Sequence, residues 1–417
     1  MRLLTLASLV AAAAAQSDLV SVLESQDDLS TLFSVLQGFP DLVETLSSAS
    51  NITIFAPTNE AFESVPEDSA IGQAIANNDT TAIAALLTNH VYQGQYPAEA
   101  VMETPVWIQS LLDDSYEMDG MPFSNFTGGQ YSGVVLDGDD VVVISGDLTL
   151  STVTEADIEI GDSVIVHKID NPIAFSPTLE AYTLRDGLLN FNAALATADL
   201  PVNFGDDSDK MPISDFTIFV PNDAAFENIG SVLEGADLET LQEVLTYHLV
   251  ADNVVFSTAL GNVSLPSYQG GDLTFTVAED GSAWVNNAKI VFPNVLLANG
   301  VAHVIDSVLN PADDDFDRED IMPYADASDR VAFEDASPVS ELPFSAPTPE
   351  MTYTTPGLLE TYAAVATDGD MEATQTGDDD EDSPDATGTS APEEGGAVKM
   401  MTGGVLAGAM LVSMLMI

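Results

Sequence analysis

A chain of 417 residues, 46% of them apolar, is long enough for two or three domains, each with its own core. Its charge is extreme: 68 acidic residues against 8 basic, a formal net charge of −60. Such a surface repels phosphate backbones and anionic headgroups, which excludes nucleic acid as a partner, and the lack of cysteine excludes disulfides, thiolate metal sites and thiol nucleophiles.

In chain order, Met1-Arg2 gives a charged start and Leu3 to Ala15 an apolar run ending in small residues before Gln16. Residues 1–15 therefore read as a secretory signal peptide, too short to span a bilayer. Leu29, Leu32, Phe33 and Leu36 fall on one helical stripe, stopped by Gly38 and Pro40. Asp41 with Glu44 predicts a capping box opening a second short helix through Leu46. Ile52 to Ala56 is a strand ended by Pro57, and Thr80-Thr81 is expected to cap a helix with the stripe Ile83, Leu86, Leu87 and His90. From Val134 to Ile169, Gly/Asp turns separate short Val/Ile/Thr runs, the texture of β structure.

The order then repeats. Helical material from Thr183 to Ala198 precedes a strand at Thr217 to Val220, a helix striped by Leu238, Leu241, Leu245 and His248, and strands from Leu273 to Val308. The two copies are joined by Asn171 to Pro177, a link stiffened by two prolines that limits their relative orientations. Past Pro311 acid runs and recurrent prolines predict an extended, disordered stalk over 312–395. Val405 to Ile417 is apolar to the last residue but short of the roughly 20 residues of a spanning helix. With small residues and a polar spacer upstream, 396–417 has the layout of a removable glycolipid-anchor signal. The alternative is a retained marginal helix from Ala397 to Ile417.

The repeat carries recognisable motifs. T-I-F-A-P-T-N-E-A-F, with Pro57, returns as T-I-F-V-P-N-D-A-A-F, with Pro221. V-I-V-H-K-I-D around His167 returns as V-A-H-V-I-D around His303, and Tyr247-His248 ends the intervening helix of the second copy. These segments resemble the signatures of the fasciclin domain family, over residues 17–172 and 178–311. The resemblance implies an α+β fold: two tandem fasciclin-like domains, each a β-sandwich or wedge of about seven strands with packed helices. It also implies cell-surface adhesion or matrix interaction, with no catalysis and no cofactor. In the first copy Asn89 stands where the family has tyrosine before His90, so Tyr247 and His248 become the candidate adhesion contacts and the first copy a candidate spacer.

The residues themselves support a non-catalytic reading. His90, His167, His248 and His303 are all the histidines of the chain, each flanked by apolar residues at core register, which predicts packed, hydrogen-bonded rings. No zinc-ligand spacing, nucleophile elbow or phosphate loop occurs. Acidic clusters at Asp137/Asp139/Asp140, Asp206/Asp207/Asp209 and Asp313 to Asp317 lack the spaced calcium loop and predict weak, diffuse calcium association. Trp107, Trp284 and Tyr268 are expected in packing rather than in a sugar-stacking patch. N-glycosylation is expected at the sequons Asn51, Asn78, Asn125 and Asn262. The expected location is the outer face of the plasma membrane or the cell wall, anchored by glycolipid, or alternatively a vacuolar-type membrane. The expected partners are other surface, matrix or wall components, homophilic pairing included; the competing expectation is a structural glycoprotein that adheres to nothing.

Overall fold

The computed structural model describes residues 19–344, apart from 68, 119, 162, 206–209, 314–315 and 340–341. The expected signal peptide, the remainder of the expected stalk and the expected anchor signal lie outside the described residues. Two seven-stranded sheets dominate, and they have the same strand order. The first module contributes β1 (Ile52–Pro57), β2 (Val91–Gln93), β3 (Val106–Gln109), the small hairpin β4 (Glu117–Met118) and β5 (Met121–Pro122), then β6 (Tyr131–Asp137), β7 (Asp140–Ile144), β8 (Leu150–Ile160) and β9 (Val164–Ile169). Its sheet runs β2-β1-β9-β8-β7-β6-β3. The second module begins with the short pair β10 (Val202–Asn203) and β11 (Met211–Pro212). It continues with β12 (Phe216–Pro221), β13 (Leu249–Val250), β14 (Ser264–Pro266), β15 (Asp272–Val277), β16 (Ala283–Val285), β17 (Ala288–Leu296) and β18 (Gly300–Ile305). Its sheet runs β13-β12-β18-β17-β16-β15-β14. The duplication read from the motifs is thus a duplication of topology, and the α+β expectation holds.

In each sheet the two signature segments pair with each other. β1 lies parallel to β9 with Phe55 opposite His167, and β12 lies parallel to β18 with Phe219 opposite His303. All four strands are buried along their whole length, as central parallel strands covered on both faces must be. One face meets helices, through Ile54, Ile83, Leu87 and Val166 in the first module and Phe191, Ile218, Leu245 and Ala302 in the second. The other face closes on a second cluster, built round Phe55, Tyr92 and Val143 or round Phe219, Phe275 and Val285.

Local chemistry explains why the first signature reads as it does. Pro57 and Pro221 end their strands, and the next residue caps a helix: Thr58 accepts from Ala61 N and Asn222 from Ala225 N. The residue after the cap fastens the module's opening helices: Asn59 Oδ1 accepts from Thr31 N at 2.8 Å and Asp223 Oδ1 from Asn190 N at 2.9 Å. Two expected caps fall elsewhere. The helix Pro40–Ser48 starts with Pro40 in its first turn and has no side-chain cap, because proline's missing N–H costs nothing there. The helix Thr80–Asn89 is capped by Asp79, whose carboxylate takes Thr81 N and Ala82 N.

The link between the copies is held, in line with its two prolines, and one further expectation is corrected. The link Asn171 to Pro177 is no free hinge: Ile173 is fully buried, Ala174 N donates to Ser145 Oγ, and Gly146 is so close to the carbonyl of Phe175 that a Cβ there would lie 2.1 Å from it. The composition shift at residue 312 is not where the second module ends. Arg330 is buried, its guanidinium donates to Asp306 at 2.6 Å and lies 4.7 Å from the Trp284 ring, and Val331, Phe333 and Phe344 pack on the helical core. A strap with enough apolar anchors offsets its ordering entropy even where acids and prolines dominate.

Candidate functional site

The histidines form two equivalent pairs, and every ring nitrogen is used. His90 ends its helix by donating Nδ1–H to Leu86 O at 2.7 Å, while Nε2 accepts from Ile173 N at 2.8 Å. His248 does the same with Val244 O at 2.7 Å and Leu309 N at 3.0 Å. Carbonyls only accept and amides only donate, so these contacts select one neutral tautomer. In the closing strands His167 donates Nε2–H to Tyr96 O and takes Asp157 N on Nδ1, and His303 donates to Val255 O and takes Asn294 N. Asp157 and Asn294 sit at the irregular steps of β8 and β17, with φ of 58° and 63°. Burial pushes His90, His248 and His303 down to about 4 and lowers His167 as well. These rings are neutral pins between the helix end, the bulge and the loop beyond.

That geometry corrects the candidate contacts. Tyr247 is 2% exposed and His248 0%. Tyr247 Oη donates to Asp272 O at 2.8 Å and accepts from Asn286 Nδ2 at 2.9 Å, so it ties its helix to the sheet instead of facing a partner. Asn89 fills the same place in the first module, fully buried, accepting from Ser110 Oγ at 3.0 Å. The exchange of tyrosine for asparagine changes an internal strut and does not make the first module a spacer.

Two groups escaped the sequence reading. Thr53 and Thr217, the threonines of the T-I-F segments, hold the loop that the closing-strand histidine also grips: Thr53 Oγ1 bonds Gly94 O and Tyr96 N, and Thr217 Oγ1 bonds Asn253 O and Val255 N. Their repetition at one register was the available signal. The second group is the cations. Lys168 is buried between Asp28, at 2.9 Å, and Glu155, at 2.7 Å; Arg185 pairs with Asp186 and with Asp147 of the other module; Arg330 pairs with Asp306. In so acidic a chain these three cations act as structural clamps.

The modules meet through apolar and polar contacts together. Trp107 stacks on Phe256 at 4.2 Å and an interplanar angle of 5°, Tyr131 adds an edge contact, and Phe292 rests on the patch of Val135, Val142 and Ile144. Thr127 Oγ1 donates to Asp215 at 2.6 Å and Asn125 N to Ala298 O at 2.8 Å. Trp284 lies beneath Arg330 and Tyr268 is partly exposed, so the aromatics form no common patch. Beside the Asn125–Ala298 bond opens a cleft of about 540 Å³, walled by both modules. Asn51, Asn78 and Asn262 are exposed, whereas Asn125 is half-buried and lines this cleft. Among the described residues no group of three or more His, Asp or Glu is arranged to hold a metal ion, and no helix is long and apolar enough to cross a membrane.

The family comparison agrees with the two-module architecture. The fasciclin domain model matches residues 9–175 and 186–311. A fasciclin-like arabinogalactan protein of Arthroderma benhamiae is 28% identical over 69% of this chain and 65% of its own length, and human periostin is 24% identical over 65% of this chain and 29% of its own. A cell surface glycolipoprotein of Mycobacterium bovis is 34% identical over 25% of this chain and 47% of its own. A solved FAS1 domain pair from the insect cell adhesion molecule fasciclin I aligns with 20% identity and a TM-score of 0.30, over 68% of this chain and 97% of that one. With two matches in tandem over most of its length, this chain belongs to the fasciclin domain family.

Proposed function

We propose that the protein works at the cell surface or in the wall, held there by a glycolipid, and binds neighbouring surface, matrix or wall components without catalysing a reaction. The observation that carries the proposal is the clamped pairing of two like domains, through the Trp107–Phe256 stack and the Arg185–Asp147 bridge. Two binding faces held in one geometry turn individually weak contacts into avidity, and an anchored array multiplies it. Relatives called cell surface glycolipoprotein and fasciclin-like arabinogalactan protein support the location. The net charge of −60 sets the sign of the interaction: cationic partners and divalent bridging are favoured, and like copies approach only when salt screens them. Imidazoles that are bonded on both nitrogens are unavailable as bases, which supports the non-enzymatic reading. Burial of Tyr247 and His248 favours a second reading, a glycosylated spacer with no specific partner.

Beads coated with residues 16–390 separate the two. Clumping or retention on isolated wall polymers, increasing with salt or divalent ions, supports binding. No retention at any ionic strength supports the spacer.

A further inference from the structure

We propose that the cleft between the two modules is a seat for the innermost sugars of an N-linked glycan carried by Asn125. Of the four sequon asparagines only this one is half-buried, and it lines the cleft. Its side-chain amide makes no hydrogen bond to any described residue, so Nδ2 is free for the linkage while its backbone N–H is held by Ala298 O of the second module. The cavity, about 540 Å³, falls within the range of roughly 300–1,000 Å³ usual for small-ligand sites.

Its chemistry suits an N-acetylated sugar. One wall carries the stacked rings of Phe123 and Phe175, 4.5 Å apart, with Met121 beside them, surfaces for the C–H face and the acetyl methyl. The remaining lining carries the charged groups of Asp114, Glu117 and Lys210 and the hydroxyls of Ser176 and Thr178, whose oxygens each accept one internal bond and keep a proton to donate. At the floor Asn299 is only 3% exposed; its Nδ2 donates to Ile213 O, but its Oδ1 has no hydrogen-bond partner. An orphaned acceptor of that kind is costly, and a sugar hydroxyl or amide N–H within reach of a small side-chain adjustment removes the deficit.

Attachment precedes folding, because the sequon hydroxyl of Thr127 is engaged by Asp215 once the modules meet. In that step Asn125 Nδ2 bonds the anomeric carbon of a lipid-linked oligosaccharide diphosphate, the anomeric C–O bond breaks, and the lipid diphosphate leaves with the electron pair and takes up the proton that the amide gives up. Because residues of both modules line the cleft, the seated sugars add a bridge across the pair.

The test uses the full-length protein secreted by a eukaryotic host, treated with a peptide N-glycosidase before and after denaturation, with each site followed by glycopeptide mass spectrometry. Expected is a glycan at Asn125 that is released from native protein at least about fivefold more slowly than those at the exposed sites, the retardation of one or two sheltering contacts, and at the common rate after denaturation. Asn299→Ala should speed native release at Asn125 alone, and the rim variant Met121→Ser should do so without touching an internal bond. An unmodified Asn125, native release as fast as at Asn78, or slow release that neither variant changes would each overturn the seat. None of these outcomes depends on whether the protein adheres.

Discussion

Arg330 offers the sharpest test of the strap that closes the second module. The perturbation is Arg330→Ala. It removes the 2.6 Å bond to Asp306 Oδ2, two donations to the carbonyls of Ala325 and Asn287, and the guanidinium 4.7 Å from Trp284. Breaking a buried pair by deleting one partner costs about 3–5 kcal/mol, because the other charge stays behind in a medium that solvates it poorly. Asp306 keeps the Lys289 N–H at 2.9 Å and its side chain is 13% exposed, so the lower end, about 3 kcal/mol, is expected. At a urea slope of ~2 kcal/mol/M this moves the midpoint of the second module down by about 1.5 M. The chain has two tryptophans, so Trp107→Phe leaves Trp284, directly beneath Arg330, as the sole tryptophan reporter. Limited proteolysis should cut within 316–344 at denaturant concentrations where the parent resists. The double variant Arg330→Ala/Asp306→Ala should lose less than the sum of the single losses, by at least about 1 kcal/mol. A midpoint change below about 0.3 M, or strict additivity, would show that the strap is held by something else.

Acid should weaken the fold through the buried rings. The folded-state values of His90, His248 and His303 lie near 4, below the ~6.5 of an unfolded histidine, so the unfolded chain takes up protons first as pH falls. Each ring's contribution is fully present above about pH 6.5 and is lost on the way to pH 4, about 3 kcal/mol per ring. Urea midpoints measured across that window in high salt, which damps carboxylate repulsion, check it; a flat or rising profile contradicts it. Trp107→Ala should split one cooperative melt into two by removing the stack on Phe256, a loss of about 2 kcal/mol at a partly exposed aromatic contact, read by calorimetry. Tyr247→Phe should cost about 1–2 kcal/mol by orphaning Asn286 Nδ2 and Asp272 O, yet leave bead clumping unchanged at temperatures where the domain stays folded; lost clumping in a folded variant would restore Tyr247 as a contact.

Repetition and periodicity made the architecture legible in the sequence. Two copies of one motif order, the apolar stripe of Ile83, Leu86 and Leu87, and the Gly/Asp turns between Val/Ile runs depend on local backbone preferences and on which side chains avoid water, and both are written residue by residue. The apolar residues at core register beside the four histidines likewise announced buried rings. What the rings bond was decided only by folding, since Ile173, Tyr96, Leu309 and Val255 reach them across 83, 71, 61 and 48 positions of chain. The same holds for Tyr247, whose place beside His248 in a signature gave no hint that its hydroxyl faces inward to Asp272. Composition misjudged the segment after 312, because acidity describes an average while Arg330, Phe333 and Phe344 anchor it at a few points. The half-buried position of Asn125 among four similar sequons is another such outcome. A sequence states what each residue can do; distance in space, which sets burial and hydrogen-bond partners, belongs to the tertiary structure.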